Sequence, residues 1–190
     1  LSRHSTDFQA PVQRRRDAPF YAEDTLGDNA WGTRKMGFRN IFSVDVQVPE
    51  ARYIVIEHQT PEVLWQPVLT QHDNGATALV SVGFCTNNFE PLKRRLALLA
   101  QPQTGETRYA CTQGGVVELV SPAQWAQRFT GAKPLPSLQA GCIASCTIRV
   151  RSLATLRTVL GERGTNFAED DERIWVGNAV TGGAPFEFVE

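Results

Sequence analysis

Two stretches of the chain repeat the same order of predicted elements, and this repeat constrains the fold more than any other feature. The stretch "LVSVGFCTNNFEPLKRRLALLAQP" from Leu79 aligns without gaps with "IASCTIRVRSLATLRTVLGERG" from Ile143. Each copy has an alternating strand, a polar turn and a helical stretch with leucines at helical spacing. A helix of this kind covers one face of a sheet, so the repeat predicts at least two related modules.

Short strands follow each predicted helix. In the first copy the runs "TRYACTQ" and "GVVELVS" flank Gly114 and Gly115, a pair typical of a tight hairpin. In the second copy the runs are "NFAED", "RIWVGN" and "PFEFVE". The order predicts an α+β fold of tandem βαβββ modules forming curved mixed or antiparallel sheets. Residues 76–137 are expected to form a βαββ module with a linker helix, and residues 138–190 a βαβββ module.

Alternation within the first strand of each module assigns its residues to two faces. In the later strand, the residues predicted to share the helix-covered face are Cys142, Ala144, Cys146, Ile148 and Val150. In the earlier strand they are Val80, Val82 and Phe84. The opposite, mixed face contains Ser81 and Ser145, and we expect it to be open to a ligand.

A short helix is predicted between the two modules. Ser121 followed by Pro122 is a typical helix start, and a Pro-rich linker comes after it. We expect Trp125 on this helix and Trp65 on an earlier one to close the core. Trp175, on a late strand, is expected to reach the open face and to stack on a ligand.

Upstream, "GFRNIFSVDVQVPEARYIVIEHQ" predicts a hairpin of two long strands joined through residues 48–51. Residues 1–30 are polar and weakly patterned, and no repeat-type helix precedes the hairpin. We therefore interpret residues 1–75 as a partial first module whose opening strand and helix are absent. A missing N-terminal segment or a second copy of the chain, in a homodimer, would complete it.

Bulk composition excludes two classes of partner. The chain has 19 basic and 20 acidic residues, a net charge of -1, and no apolar run long enough to span a membrane. Nucleic-acid and membrane partners are therefore not expected. The four cysteines lie in apolar strand contexts without a C-x-x-C pair, so we expect a cytoplasmic protein with reduced, buried thiols.

Two of the three histidines lie in the connector between the hairpin and the first complete module. His58 ends a strand just before a Thr-Pro-Glu turn, where Thr60 can cap a short helix. His58 is either a metal ligand or base facing a cavity, or a residue that fixes this turn. His72 precedes Asn74-Gly75, a pair typical of a tight turn, and we expect it to hold the turn by hydrogen bonds.

These connector residues resemble a family signature. The stretch "EHQTPEVLWQPVLTQHDNGATALVSV" is similar to the H-x-T-P-E-x-x-W and H-x-N-G-A pattern of a bacterial glyoxalase-like branch of the vicinal oxygen chelate superfamily. The ending "IWVGNAVTGGAPFEFVE" also resembles the end of such modules. The resemblance covers roughly residues 32–190. It implies the tandem βαβββ fold more specifically than any one reaction, because this scaffold hosts many chemistries.

The resemblance implies one divalent metal on the concave sheet face, with Zn, Ni, Fe, Mn and Mg as candidates. Its four ligand positions fall on Ser81, Glu118, Ser145 and Glu187. A serine hydroxyl is a poor ligand for a transition metal, so half of the inherited site is lost. The cofactor is therefore one divalent metal held by Glu187, with His58 as a further candidate, or none.

Two functions follow from the resemblance. One is a glyoxalase-like enzyme, a metal-dependent lyase, isomerase or dioxygenase acting on a small organic molecule, with Glu187 and His58 as catalytic residues. The other is a non-catalytic protein that binds and sequesters a small molecule, as bleomycin-resistance proteins of this fold do. In both, the ligand-binding candidates are Ser81, Ser145, Glu118 and Trp175. Neither serine lies in a G-x-S-x-G elbow, which argues against a serine nucleophile.

Overall fold

The computed structural model describes residues 12–15, 20–26, 30–43, 51, 53–103, 105–112, 114–135 and 141–190. The chain divides into two compact units. The first comprises Leu1–Val48 and Arg52–Gln71, and the second comprises Pro49–Ala51 and His72–Glu190. The carboxylates predicted from the sequence, Glu118 and Glu187, both belong to the second unit.

Five strands make up the described sheets of the first unit. They are β1 (Val12–Arg15), β2 (Phe20–Leu26), β3 (Ala30–Met36), β4 (Phe38–Ser43) and β5 (Ile54–His58). An antiparallel sheet has the order β1-β4-β5, and β2 pairs with β3. The predicted pairing of the strands on either side of residues 48–51 is present as β4 and β5. The turn itself lies mostly outside the described residues. Strands β1, β2 and β3 were not predicted, because their sequences show little apolar alternation.

The connector after β5 contains the short helix α1 (Pro61–Leu64) and a 3-10 turn (Pro67–Leu69). The predicted helix is present, but Thr60 does not cap it with its side chain. The Thr60 hydroxyl instead accepts a hydrogen bond from the Gly37 backbone N–H at 3.1 Å. The prediction that Trp65 closes a core is wrong, since this residue is 63% exposed.

The second unit contains the two complete modules. The elements of the first are β6 (Ala76–Cys85), α2 (Phe89–Leu96), β7 (Gln101–Pro102), β8 (Arg108–Ala110) and β9 (Val116–Val120). Helix α3 (Pro122–Arg128) follows. The elements of the second are β10 (Cys142–Val150), α4 (Leu153–Glu162), β11 (Ala168–Glu169), β12 (Arg173–Val176), α5 (Asn178–Thr181) and β13 (Phe186–Val189).

The eight described strands of this unit form one mixed sheet, with the order β11-β12-β13-β10-β6-β9-β8-β7. In each module the first strand lies parallel to the last, β6 to β9 and β10 to β13. The modules join through the antiparallel pair β6 and β10, whose register shifts are typical of a curved sheet. The predicted α+β fold of tandem βαβββ modules is therefore confirmed.

Helices α2 and α4 begin where the sequence provides caps. The Asn88 and Ser152 side chains accept hydrogen bonds from backbone N–H groups of the first turn, each cap contributing about 1 kcal/mol. Leu92, Leu96 and Leu156 are buried, as the leucine spacing predicted. None of the helices in the described ranges is long and apolar enough to cross a membrane.

A β-bulge changes the predicted faces of β10. The register against β6 shifts between Ile143 and Ser145, which leaves Ala144 without a partner on β6. Ala144 and Cys142 consequently join a buried cluster that is separate from the one containing Val150. We call it the α3 cluster; its buried members are Cys85, Trp125, Phe129, Ala144 and Trp175. The prediction that all five alternate residues of β10 share one face is therefore wrong.

The cysteines are all free, but only partly as buried as predicted. Cys85 is buried, Cys142 and Cys146 are half-buried, and Cys111 is exposed. Burial, with a smaller effect of the neighbouring Cys142 thiol, raises the pKa of Cys85 to about 11. The prediction of four buried thiols is wrong for Cys111, which lies in the turn after β8.

The turn before β6 is built as the Asn-Gly pair predicts. Gly75 has a φ of 74°, and its N–H donates to the His72 carbonyl at 2.9 Å. The Asn74 side chain accepts from the Ala76 N–H at 3.1 Å. The His72 side chain is exposed, so the turn depends on its carbonyl group and not on its imidazole. The predicted side-chain role of His72 is therefore wrong.

Candidate functional site

One face of the central strands carries most of the residues predicted to bind a ligand. We call it the polar face. The strand registers align Glu118 with Gly83 and Gly83 with Ser145. They also align Ser81 with Thr147 and Thr147 with Glu187. The two glutamates therefore lie on β9 and β13, one on each side of the central pair β6 and β10.

Glu187 is the most enclosed member of this face, with 1% exposure. Its Oε1 accepts from Arg128 Nε at 3.0 Å and from Arg173 Nη1 at 2.5 Å. Its Oε2 accepts from Thr147 Oγ1 at 2.8 Å and from Arg128 Nη2. A carboxylate has about four lone-pair positions, so Glu187 has no acceptor capacity left.

Glu118 shares one of these arginines. Arg128 Nη1 donates to Glu118 Oε2 at 2.9 Å, and Arg108 Nη1 donates to Oε1. Glu118 is 7% exposed and has two donors where Glu187 has four. Arg128 therefore bridges the two carboxylates that the resemblance assigns to a metal.

Arg173 extends the same network towards the edge of the sheet. Its Nε donates to Asp170 Oδ2 at 2.9 Å, and its Nη2 donates to the Arg128 carbonyl at 3.0 Å. Its guanidinium carbon lies 4.7 Å from the centre of the Trp175 ring, a cation–π contact. Three arginines thus face three carboxylates, and the network is close to neutral.

Helix α3 places Arg128 over the polar face. Ser121 and Gln124 form a capping box at its start. Trp125 is buried, and its Nε1 donates at 2.8 Å to the Ala144 carbonyl, in the bulge of β10. Arg128 follows Trp125 by three residues and so points from the same side of the helix towards the sheet.

The chain after α3 is tied to α5 by a pair of amide hydrogen bonds. The Lys133 N–H donates to Asn178 Oδ1 at 2.8 Å, and Asn178 Nδ2 donates to the Lys133 carbonyl at 2.9 Å. The contact fixes the chain just after the end of α3 against α5. The Lys133–Asn178 contact, together with the Trp125 hydrogen bond to the sheet, helps to define the position of Arg128.

The network also sets the protonation of its members. Burial raises the pKa of Glu187, but the hydrogen bonds from Arg128 and Arg173 lower it by more, so it lies below the usual 4.5. The hydrogen bond with Glu187 raises the pKa of Arg128, with burial acting against it. Glu187 is consequently ionised at neutral pH and is a weak proton acceptor.

A cavity of about 650 Å³ opens on the polar face beside α3. It is lined by Val80, Ser81, Glu118, Gln124, Gln127, Arg128, Thr147, Glu172, Arg173, Glu187 and Val189. Its volume falls within the range of about 300–1,000 Å³ that is usual for small-molecule sites. The walls combine ionic groups, amides and hydroxyls with two valines.

The structure brings three of the predicted site residues together at this cavity: Ser81, Glu118 and Glu187. Ser145 lies on the same face but is not part of the wall, because its hydroxyl packs against Gly83. Trp175 is buried in the α3 cluster and stacks under Arg173 instead of lining the cavity.

His58 belongs to the first unit. Its ring contacts those of Phe38 and Trp65 edge to face, with centroids 5.1 and 6.1 Å away. Its Nδ1 is buried and has no hydrogen-bond partner among the described residues. His58 therefore lies in an aromatic environment, and no carboxylate is part of its described contacts.

Sequence reasoning missed the arginines that define the site. Arg173 alternates with Trp175 on β12, and Arg128 follows Trp125 at helical spacing. The sequence spacing therefore indicated that each arginine shares a face with a tryptophan. The signal indicates a shared face but not which face. The short helix between the modules gave no indication that it covers the open side of the sheet.

The residues present do not fit the metal that the resemblance implies. Both carboxylates are hydrogen-bonded to guanidinium groups, and the other two inherited positions are serines. Within the described ranges, no group of three or more His, Cys, Asp or Glu side chains is arranged to hold a metal ion. A divalent ion would have to displace Arg128, whose charge already balances the carboxylates.

Comparison with known proteins adds similarity to solved structures alone. No family model matches the sequence, and no curated protein is significantly similar to it. Among solved structures, the chain is similar to the crystal structure of methylmalonyl-CoA epimerase from Mycobacterium tuberculosis. The TM-score is 0.46 and the identity 14%, covering 63% of this chain and 91% of that chain. At these values the similarity does not establish the fold, so the fold of the second unit is assigned from its own strand order and register.

Proposed function

We propose that the second unit is a metal-independent binding module of the glyoxalase-like fold, which takes up a small organic molecule in the cavity beside α3. The observation that carries this proposal is the double contact of Arg128 with Glu118 and Glu187. An internal cation takes the place that a metal would need. The site retains a cavity but loses the usual means of metal chemistry.

The protonation state of the site supports binding in preference to catalysis. A general base needs a free lone pair and a pKa near the working pH. Glu187 has neither, because four donors occupy its oxygens and its pKa is lowered. Ser81 has no histidine among its described contacts that could activate it. Non-catalytic sequestration, as in bleomycin-resistance proteins, fits these residues better than a lyase, isomerase or dioxygenase.

Metal titration tests the first half of the proposal. Dialysed protein should contain no stoichiometric transition metal, and Zn²⁺ or Ni²⁺ at micromolar concentration should leave the amide resonances of Ser81, Glu118 and Thr147 unchanged. One bound metal per chain that is lost in Glu187→Gln would contradict the proposal. This assay is independent of any organic ligand.

A fragment titration tests the second half. Benzyl alcohol has an apolar ring for the two valines and one hydroxyl group for the polar wall. It should shift the same three amide resonances saturably at millimolar concentration. Gln127→Trp, on the cavity wall, should weaken this binding, whereas Ala126→Trp, on an exposed position of the same helix outside the wall, should not. Equal effects of the two variants would argue against this cavity.

A further inference from the structure

We propose that Glu118, and not Glu187, is the ligand-contacting carboxylate, and that it selects amines and alcohols over anions. The inference rests on the proposed function of the cavity. The two glutamates occupy equivalent positions in the repeated modules, but the structure gives them different surroundings. Glu187 holds the arginines in place, and Glu118 retains the capacity to bind a ligand.

The difference lies in the lone pairs. Glu187 accepts four hydrogen bonds, from Arg128 twice, Arg173 and Thr147. Among the described residues, Glu118 accepts two, from Arg108 and Arg128. A buried carboxylate at a cavity wall with two acceptor positions open is suited to N–H and O–H donors. Glu118 is 7% exposed and lines the cavity, so a ligand can supply those donors.

Ser81 provides a second polar group on the same cavity wall as Glu118. It lies on β6, next to β9, which carries Glu118, and it is a buried part of the cavity wall. Within the described part of the chain its hydroxyl makes no hydrogen bond, and a hydroxyl can both donate and accept. An amine or alcohol bound to Glu118 therefore has an acceptor and a donor within reach.

The charges at the cavity act against an anionic ligand. Arg128 and Arg173 line it, but both are hydrogen-bonded to carboxylates. Glu172 lines the cavity as well, and its exposed carboxylate makes no ion pair with the described residues. An entering carboxylate or phosphate would meet Glu118 and Glu172 without an uncommitted guanidinium. Burying a charge without a partner is unfavourable, so neutral and cationic ligands are preferred.

The experiment compares three probes that share one ring: benzylamine, benzyl alcohol and benzoate. Each is titrated into the full chain while the amide resonances of Ser81, Glu118 and Thr147 are followed. We expect the affinity to fall in that order. Glu118→Gln should lower the affinity for benzylamine roughly tenfold, as expected for loss of a hydrogen bond to a charged group. The ratio of the affinities for benzylamine and benzoate should therefore become smaller.

Two further variants keep the test decisive if Glu118→Gln destabilises the fold. Ser81→Ala should weaken the binding of benzyl alcohol, and Glu172→Gln should strengthen the binding of benzoate. Tightest binding of benzoate in the cavity, or unchanged benzylamine affinity in a folded Glu118→Gln variant, would overturn the inference. Absence of any saturable shift with all three probes would instead overturn the proposed binding function itself.

Discussion

Arg128 contacts Glu187 through two nitrogens, with Nε 3.0 Å from Oε1 and Nη2 on Oε2. The residues are 59 positions apart in sequence, so the pair ties the helix between the modules to the last strand. A planar guanidinium matches a carboxylate in this bidentate geometry, which lysine does not reproduce. The pair thereby fixes the chain across both modules.

Replacing Arg128 should destabilise the second unit strongly. Arg128→Leu leaves Glu187 buried with one arginine fewer, and loss of one partner of a buried ion pair costs about 3–5 kcal/mol. Arg108→Leu is the matched control, because Arg108 contacts Glu118 but is 49% exposed against 30% for Arg128. We expect Arg108→Leu to lower the free energy of unfolding by less than about 1 kcal/mol. Urea unfolding measures both, and similar losses would contradict a special role for Arg128.

Acid should destabilise the protein through Glu187. Its pKa is lower in the folded state than its usual value of 4.5, so folding favours the ionised form. The resulting stabilisation is complete above that value and is lost as the pH falls through the lower, folded pKa. Unfolding free energies between about pH 7 and pH 3 should therefore decrease most below 4.5.

Two variants separate this effect from general acid denaturation. Glu187→Gln should remove part of the decrease below pH 4.5, although it lowers stability at neutral pH. Asp170→Asn is the control, since the pKa of Asp170 is also lowered, mainly by a backbone hydrogen bond, but its side chain is exposed. An unchanged pH profile in Glu187→Gln would show that another group dominates.

The repeat in the sequence was sufficient to predict the modules, but not the contacts between them. Alternation assumes a regular pleat, and the bulge at Ala144 breaks that assumption in β10. Because of the extra residue, Ala144 and Cys142 pack into the α3 cluster. Simple alternation does not predict this change of face. Exposure of Trp65 was missed for a different reason, because residue type alone favours burial and the partner surface is set by tertiary structure.

The carboxylates of the site were predicted from the sequence, and their arginine partners were not. Strand alternation places Glu187 opposite its two flanking phenylalanines, and this reasoning needs only local sequence. The identity of its partners depends on Arg128, which is on a helix whose position follows from the Trp125 contact with the β10 bulge. A long-range contact of this kind leaves no periodic signal in a single sequence.

A glycine substitution should reveal how closely β6 and β10 pack. A Cβ at Gly83 would lie 2.3 Å from Ser145 Oγ, so Gly83→Ala forces that hydroxyl to move. We expect a net loss of about 1 kcal/mol, and no loss in a Ser145→Ala background. Gly161→Ala, with nothing within 4 Å of its Cβ, should instead stabilise by about 0.5–1 kcal/mol. Thermal unfolding of the four variants checks this, and an equal loss in both backgrounds would exclude the Ser145 contact.

The two connector histidines should respond differently to substitution. His58 Nδ1 is buried without a described partner, between the rings of Phe38 and Trp65. His58→Phe keeps the ring and removes the desolvated nitrogen, so we expect stability to be unchanged or to rise by up to about 1 kcal/mol. His58→Ala loses the ring contacts and should cost about 1–2 kcal/mol.

His72→Ala should change the free energy of unfolding by no more than about 0.5 kcal/mol, because the exposed side chain is not needed for the Gly75 turn. Urea unfolding of the three variants measures these changes; a loss in His72→Ala as large as that in His58→Ala would mean that the His72 imidazole, and not its carbonyl, holds the turn.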